Sequence, residues 1–589
     1  MNSGSLRLRA LGVICCFACV FTVISSRLVY LQLVSHEHYH EKSIEQHYEN
    51  LPVPPQRGRI IDRHGRVFAQ TLRLTDLHID GKLALESPEL LPQVADILEI
   101  PLMDLQGKLS PKRRWELIQS DLTEPTVEKL RLLKSKGARY LIFEDRLQRI
   151  YPNGAEGSHV VGFTNMVDKV FPGHDKTSKM EAGMQGVERI MDKYLAGTPG
   201  KQRVALDAGR REIAAYRQVD LKPLDGLNVV ITLDQTIQHV LEKEADRIIE
   251  EFSPDSLSIV AVKPTTGEIL GLTNRPTFNP NDTKTRRNER LRNSAITDEY
   301  EPGSTFKIVT LSAALSERVA ELETPVFCEN GEFVYAGETL SDYKPFGMLD
   351  VKSAFAMSSN IAFAKLALQL RQDRLYRYGR HLGYGEQVQA PNMSFNGEPS
   401  GKLKPPQYWS RISITRIPIG YEIATTNLQM SMAVAAIANG GKLMQPQFIK
   451  SVENEDGGQA KIYMPKMVRQ AVRPEVCDAV TAAMVDVVEY GTGTKAAVPG
   501  VRVAGKTGTA RKFINGQYVE GAYSSSFIGF FPAENPEVLI SVVVGYPKGG
   551  EYGGGVVAAP SFGRMARKIA QHLDVVTEPA SIMTARRPE

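Results

Sequence analysis

Ser304 and Lys307, one helical turn apart, are the residues of this 589-residue chain whose types and spacing suit covalent catalysis. Pro302 and Gly303 break the chain just before a run of helix formers, which puts Ser304 on the first turn of a helix. Unpaired backbone NH groups and the positive end of the helix dipole favour negative charge there, on an alkoxide and on an oxyanion formed beside it. Three residues on, the Lys307 amine shares a face with the hydroxyl, and a partly desolvated lysine can accept the serine proton. Ile308, Val309, Leu311, Ala313, Ala314 and Leu315 leave little polar surface on any side, so this helix is expected at a domain centre.

Ser-x-x-Lys is a cheap pattern, expected about once or twice in a chain this long from composition alone. A second match, Ser341-Asp342-Tyr343-Lys344, stands in polar sequence ahead of Pro345 and Gly347 and reads as a loop. Partners must therefore decide. Ser358-Ser359-Asn360, in the apolar setting AFAMSSNIAFAKLAL, offers a hydroxyl and an amide two residues apart, as a loop or helix start entering an active site would. Lys506-Thr507-Gly508-Thr509 follows VPGVRVAG, a short β-branched run that reads as a strand. Gly508 lets another backbone approach closely, and Lys506 with the two threonine hydroxyls makes a cationic, donor-rich edge suited to a carboxylate. Each motif has a bland counterpart: Ser394-Phe395-Asn396 is a second Ser-x-Asn, and Lys-Thr-Gly can be no more than a turn. The ordered trio is far harder to obtain by chance.

Through Ser304-x-x-Lys307, Ser358-x-Asn360 and Lys506-Thr507-Gly508 the sequence resembles the penicillin-recognising serine acyltransferases. Within them it is most similar to the class B penicillin-binding proteins of the division-specific, FtsI-like subgroup, through Gly505 to Lys512, Tyr552-Gly553-Gly554 and Ala558-Ala559-Pro560. The resemblance implies a membrane-anchored D,D-transpeptidase that cross-links peptidoglycan at the septum and is inhibited by β-lactams. It makes Ser304, Lys307, Ser358 and Lys506 the catalytic residues. Asn360, Thr507, Gly508 and Thr509 become the substrate-binding ones, with the backbone NH groups of Ser304 and Thr509 as oxyanion donors. Stem peptides ending in D-Ala-D-Ala are the implied substrates, no cofactor or metal is implied, and a polytopic glycan polymerase and other division proteins are the implied partners. An elongation enzyme, a β-lactamase and an inactive division scaffold are the competing readings. One place departs from the family pattern: Gly420-Tyr421-Glu422 and Thr426-Asn427-Leu428 stand where relatives carry a further glycine and a Thr-Pro pair.

The elements that must position these residues are expected over residues 226–575. Residues 227–234 read as a strand, 235–251 as an amphipathic helix, and 258–262 with 269–273 as a hairpin turning at Pro264-Thr265-Thr266-Gly267. A buried helix is expected over 427–438, strands over 527–531 and 538–544, and a closing helix over 562–573. Strands flanked by helices give an α+β class, an antiparallel sheet packed with helices.

Residues 35–225 look like the non-catalytic pedestal, or dimerisation-type domain, of the class B proteins. Residues 57–65 alternate and turn at His64-Gly65, residues 83–133 read as short charged helices divided by prolines, and glycine-rich turns follow at 151–152, 162–163 and 183–188. Ahead of them Ala10 to Ser26 is uncharged, between Arg9 and Arg27, at the short limit for a membrane span. With residues 1–34 as cytoplasmic tip and anchor, the preceding arginines place the catalytic domain outside the inner membrane. A cleaved signal peptide is the competing reading. The tail, 576–589, is polar and expected to be disordered. A net charge of +4, with 42% apolar and 23% charged residues, makes no case for nucleic acid. Cys328 and Cys477, outside the anchor, are equally compatible with a pair or with buried thiols, and no metal-ligand spacing occurs.

Overall fold

Alternation of apolar side chains toward two different cores builds the central sheet. In the computed structural model, which describes residues 3–39, 48–170, 177–205, 218–390, 394–514, 517–548 and 550–575, five antiparallel strands form it. They are β1 (Ser256–Lys263), β2 (Glu268–Arg275), β3 (Ala504–Ile514), β4 (Gln517–Phe531) and β5 (Val538–Gly545), in the order β2-β1-β5-β4-β3. Along β1, Leu257, Ile259 and Ala261 enter one core while Val260 and Val262 enter another. Along β5, Val538, Ile540, Val542 and Val544 join the first and Leu539 the second. A period of two with both faces buried is the pattern of a sheet covered by helices on each side.

Helices α1 (Gln235–Phe252) and α6 (Ala559–His572) contribute to the first core through Ile237, Leu241, Phe562 and Ile569. Helices α2 (Lys307–Ser316), α3 (Asn360–Leu370), α4 (Asn427–Ala438) and α5 (Pro474–Glu489) line the second. The α+β architecture therefore agrees with the sequence, and α1, the β1–β2 hairpin, α4, β5 and α6 lie where periodicity puts them. Helix α4 starts with a capping box in which Thr426 Oγ1 accepts from Gln429 N at 3.1 Å and Gln429 Oε1 from Thr426 N at 2.9 Å. The departure at Asn427 turns out to face the core. Its Nδ2 donates to Ser258 O and Ser258 Oγ at 3.1 and 3.0 Å, and its Oδ1 accepts from Ser541 Oγ at 2.5 Å, tying α4 to β1 and β5.

Two expectations are corrected. The run VPGVRVAG is not a strand ahead of the Lys506 motif: Pro499 and Gly500 make a turn closed by a Val498–Val501 bridge, and β3 begins at Ala504 and carries the motif within it. Residues 83–133 are not all helical, because Glu116–Leu122 pairs antiparallel with Val67–Ile79. There Ile118 and Leu122 are buried while Leu117 is exposed, a pattern without the alternation that would reveal a strand.

The described chain divides into two compact units. The one of residues 1–56, 166–180 and 197–225 contains a three-stranded antiparallel sheet, Tyr48–Val53, Gly200–Ala205 and Gln218–Leu221, and the N-terminal helix Ser3–Val29. Among the described residues one segment, Leu8–Val34, is a helix long and apolar enough to cross a membrane, with mean hydropathy 2.2 and nothing packed over it. It outlasts the stretch that ends at Ser26 because Leu28, Leu31 and Leu33 carry the helix on. The other unit holds the five-stranded sheet and a second, seven-stranded one that includes Asn228–Ile231, Ile60–Ile61, Val67–Ile79 and Leu141–Ile150. Here the turns noted at 57–65, 151–152 and 183–188 converge on buried Glu188, which accepts from Arg57 Nε at 2.7 Å, Arg149 Nε at 2.8 Å and Tyr151 OH at 3.2 Å. A carboxylate met by two guanidinium groups and a phenol is a satisfied structural charge. Cys328 and Cys477 are free and buried, and the tail expected after Val575 lies outside the described residues.

Candidate active site

Close backbone approach brings the first motif to the third. Gly303–Phe306 forms a single 3-10 turn and α2 begins at Lys307, so Ser304 stands in the turn that leads into the helix. Gly303 sits at φ +55°, and a Cβ there would lie 2.8 Å from Thr509 O of β3. From the other side, a Cβ on Gly508 would lie 2.3 Å from Ser526 Oγ and 2.9 Å from Pro302 O. Gly420, at φ +88°, would place a Cβ 2.0 Å from Gly303 O. Each position excludes a side chain, and together they let β3, the nucleophile turn and the 420 loop meet through bare backbone.

Lys307, with no exposed surface, runs into the second motif. Its Nζ donates to Ser358 O at 2.6 Å, Asn360 Oδ1 at 2.9 Å and Ser358 Oγ at 3.2 Å. Burial pulls its pKa down from 10.5 to about 7, against the opposing field of Asp342. Lys506, equally buried, donates to the same Ser358 Oγ at 3.0 Å, and burial with the neighbouring Lys307 charge pushes its pKa well below the ordinary value. The two amines sit over the rings of Phe363 and Phe355, at 5.7 and 5.5 Å from their centroids. Ser358 is held at φ +60°, a left-handed conformation that costs an L-residue about 1–2 kcal/mol. Its neighbour Ser359 caps α3 by accepting from Ala362 N at 3.1 Å.

Asn360, the first residue of α3, has its amide oriented by two partners: Oδ1 accepts from Lys307 and Nδ2 donates to Ser341 O at 3.0 Å. On β3, Thr507 Oγ1 is 2.7 Å from Thr492 Oγ1, and Thr509 Oγ1 accepts from Gly554 N at 3.1 Å. All eight residues singled out in the sequence thus stand on elements that meet here. Beside Asn360 opens a cleft of about 940 Å³, walled by Glu301, Tyr421, Glu422, Arg511 and Tyr518 among others. Glu422, in the stretch that departs from the family pattern, is at φ +62° and donates its backbone NH to Glu301 Oε1 at 2.9 Å. Sequence reasoning did not find Thr492, Gly554 or Asp342. Thr492 carries no motif of its own, Gly554 entered only through the Tyr552-Gly553-Gly554 run that carries the resemblance, and Asp342 lay inside the Ser-x-x-Lys match read as a loop. Its carboxylate accepts from Ser359 Oγ at 2.6 Å, from Ile361 N at 3.2 Å and from Asn360 N.

The sequence and the fold both match known proteins. A family model for the penicillin binding protein transpeptidase domain matches residues 257–570, and one for the penicillin-binding protein dimerisation domain matches residues 52–231. The chain belongs to the class B penicillin-binding proteins. It is 30% identical over 98% of its length, and 87% of the relative's, to stage V sporulation protein D of Bacillus subtilis. It is 28% identical over 98% of its length, and 93% of the relative's, to the peptidoglycan D,D-transpeptidase FtsI of Escherichia coli. Among solved structures, penicillin binding protein 3 of Mycobacterium tuberculosis, complexed with aztreonam, superposes with a TM-score of 0.67 at 25% identity, covering 90% of this chain and 99% of that one.

For a penicillin-binding protein the glycine contacts give a direct test. Gly508→Ala forces β3 and the nucleophile turn apart, and a displacement of about 1 Å at a reacting group costs about a hundredfold in rate. The second-order rate of acylation by penicillin, followed by stopped-flow fluorescence, is expected to fall by about that factor. A rate within about threefold of wild type would show that the close approach is unimportant.

Proposed function

We propose that this class B penicillin-binding protein is a membrane-anchored peptidoglycan D,D-transpeptidase working through a Ser304 acyl-enzyme. The observation that carries the reading is the buried Lys307 amine with a pKa near 7, one turn from Ser304 and hydrogen-bonded to the second motif. Uncharged, this amine keeps two hydrogens, enough for Ser358 O and Asn360 Oδ1, and its lone pair can act as general base at neutral pH. In this mechanism Ser304 attacks the carbonyl of the penultimate D-alanine and its proton passes to Lys307. The backbone NH groups of Ser304 and Thr509 receive the oxyanion, and Thr507 and Thr509 receive the terminal carboxylate. Ser358, touched by both lysines, relays a proton to the leaving D-alanine, and Lys506 keeps the relay polarised. Asn360 has a second Nδ2 hydrogen for the stem peptide beyond the one given to Ser341. Gly508 lets the strand approach. The amine of a second stem peptide then resolves the ester.

Hydrolysis of that ester, the β-lactamase outcome, needs a water held and deprotonated by a further base. Two of the glutamates between the second and third motifs are engaged in scaffolding: Glu398 accepts from Val388 N at 2.8 Å and from Gln389 Nε2 at 3.1 Å, and Glu386 pairs with Arg469 and Arg380. Glu422 accepts from Ser413 Oγ at 2.6 Å. With these roles, penicillin is expected to acylate the protein once and leave very slowly. Mass spectrometry of the treated protein should show one adduct, on the peptide containing Ser304, lost in Ser304→Ala and kept in Ser341→Ala. An adduct surviving in Ser304→Ala, or rapid sustained hydrolysis of penicillin, contradicts the assignment.

The N-terminal helix as an uncleaved anchor, with the short amino end in the cytoplasm and the catalytic domain outside the inner membrane, completes the reading. Residues 35–225 serve as pedestal and 226–575 as transpeptidase domain, and a polytopic glycan polymerase with other division proteins are the proposed partners. Likeness to FtsI supports a septal role. Depletion in the native host is then expected to give filaments whose septa fail, scored by microscopy. Rounded, widened cells would place the protein with the elongation enzymes.

A further inference from the structure

The second Ser-x-x-Lys segment does not take part in the acyl transfer, yet its aspartate touches Ser359, Asn360 and Ile361, beside the Ser358 that both lysines reach. We propose that Asp342 is a positioning residue for acylation, holding the Ser358–Asn360 motif in place and supplying the negative charge that faces Lys307. The inference rests on the transpeptidase reading of the same site.

Three donors converge on the one carboxylate: Oδ2 accepts from Ser359 Oγ at 2.6 Å, and Oδ1 from Ile361 N at 3.2 Å and from Asn360 N. Two of these are first-turn NH groups of α3, which have no partner inside the helix. An anion at that end also meets the positive pole of the helix dipole. The preceding residue completes the clamp, because Ser341 O accepts from Asn360 Nδ2 at 3.0 Å. With the amide nitrogen pinned to Ser341, Asn360 Oδ1 is the atom left to accept from Lys307, at 2.9 Å. The segment thus decides which end of the Asn360 amide the lysine meets. It also anchors the turn in which Ser358, at φ +60°, offers both its carbonyl and its hydroxyl to Lys307.

The charge acts separately from the hydrogen bonds. Lys307 faces Lys506 on β3, Asp342 on the loop after Glu338–Ser341, the neutral Ser358 and Asn360, and the Phe363 ring of α3. Behind Asp342 stands the Cys328 thiol, pushed up by burial and so uncharged at neutral pH. Burial lowers the Lys307 pKa to about 7 and the Asp342 charge opposes that shift. Removing the charge lowers it further, so the free amine persists to lower pH.

The test is the pH dependence of penicillin acylation of the full-length protein in detergent, from about pH 5 to about pH 9, for wild type and three variants. Wild type should lose activity below about pH 7 as Lys307 protonates. Asp342→Asn keeps the shape and the acceptor oxygen but removes the charge, and its acid limb is expected to move down by about one pH unit. Asp342→Ala should show the same displacement with a plateau lowered about a hundredfold, since it also releases the clamp. Asp342→Glu, which keeps the charge, should return the limb toward wild type. A limb that stays put in Asp342→Asn and Asp342→Ala, whatever the plateau does, overturns the proposal, because a purely structural residue changes the amount of competent site and not its titration. A wild-type protein that penicillin does not acylate at any pH refutes the transpeptidase reading and leaves this one without a site to describe.

Discussion

Two buried lysines donate to one serine hydroxyl, and the rest of the site follows from that constraint. Lys307 and Lys506 reach Ser358 Oγ at 3.2 and 3.0 Å, and neither has exposed surface. Two ammonium groups that share one hydrogen-bonding oxygen repel by at least about 2–3 kcal/mol at an effective dielectric of about 20, before the cost of desolvating each is counted. Holding both charged would be expensive, so the pair favours states with at least one free amine. That free amine is what a serine nucleophile needs. The hydroxyl between them can accept from either nitrogen, which makes Ser358 a path along which protonation moves without any backbone rearrangement.

Maintaining such a pair requires a scaffold that excludes water and still lets a substrate in. The sheet buries both faces, and Lys506 on β3 reaches Ser358 with no exposed surface of its own. Helix α2 brings Lys307 up from the other core, and α3 presents Ser358 and Asn360 from a capped start. Gly303, Gly420 and Gly508 remove the side chains that would keep these elements apart. Strain is concentrated at Ser358 and Glu422, two residues other than glycine with positive φ that border the site. Such strain persists where surrounding contacts over-determine the backbone, and at Ser358 one of those contacts is its own carbonyl's hydrogen bond with Lys307 at 2.6 Å.

Much of this was legible in the sequence because the chemistry is carried by short runs. The three motifs named the residues that the fold brings together, and period-two and helical patterns located β1, β2, β5, α1, α4 and α6. What escaped is what depends on contact between distant segments. Asp342 carries no signal of its own: its meaning comes from the first turn of α3, eighteen residues on, and its setting beside Pro345 and Gly347 spoke for a loop, which it is. Thr492 gains its place only through Thr507 across a sheet edge. The strand Glu116–Leu122 was hidden because its apolar residues do not alternate, with Leu117 exposed and Ile118 and Leu122 buried four apart, and the start of β3 was misplaced because valines ahead of Ala504 pack into the core as a turn. Nor does sequence show where Asn427, one of the departures from the family pattern, directs its side chain, which the structure sends into the core.

The central claim is that Lys307 carries a free amine near neutral pH because it is buried, in spite of the opposing charge of Asp342. The most direct measurement is an NMR titration of the full-length protein with lysine side chains labelled with carbon-13 at Cε, the Lys307 resonance being assigned by its loss in Lys307→Arg. The account predicts that this resonance titrates near pH 7. A Lys307 that titrates above about pH 10, in the range of exposed lysines, would contradict it.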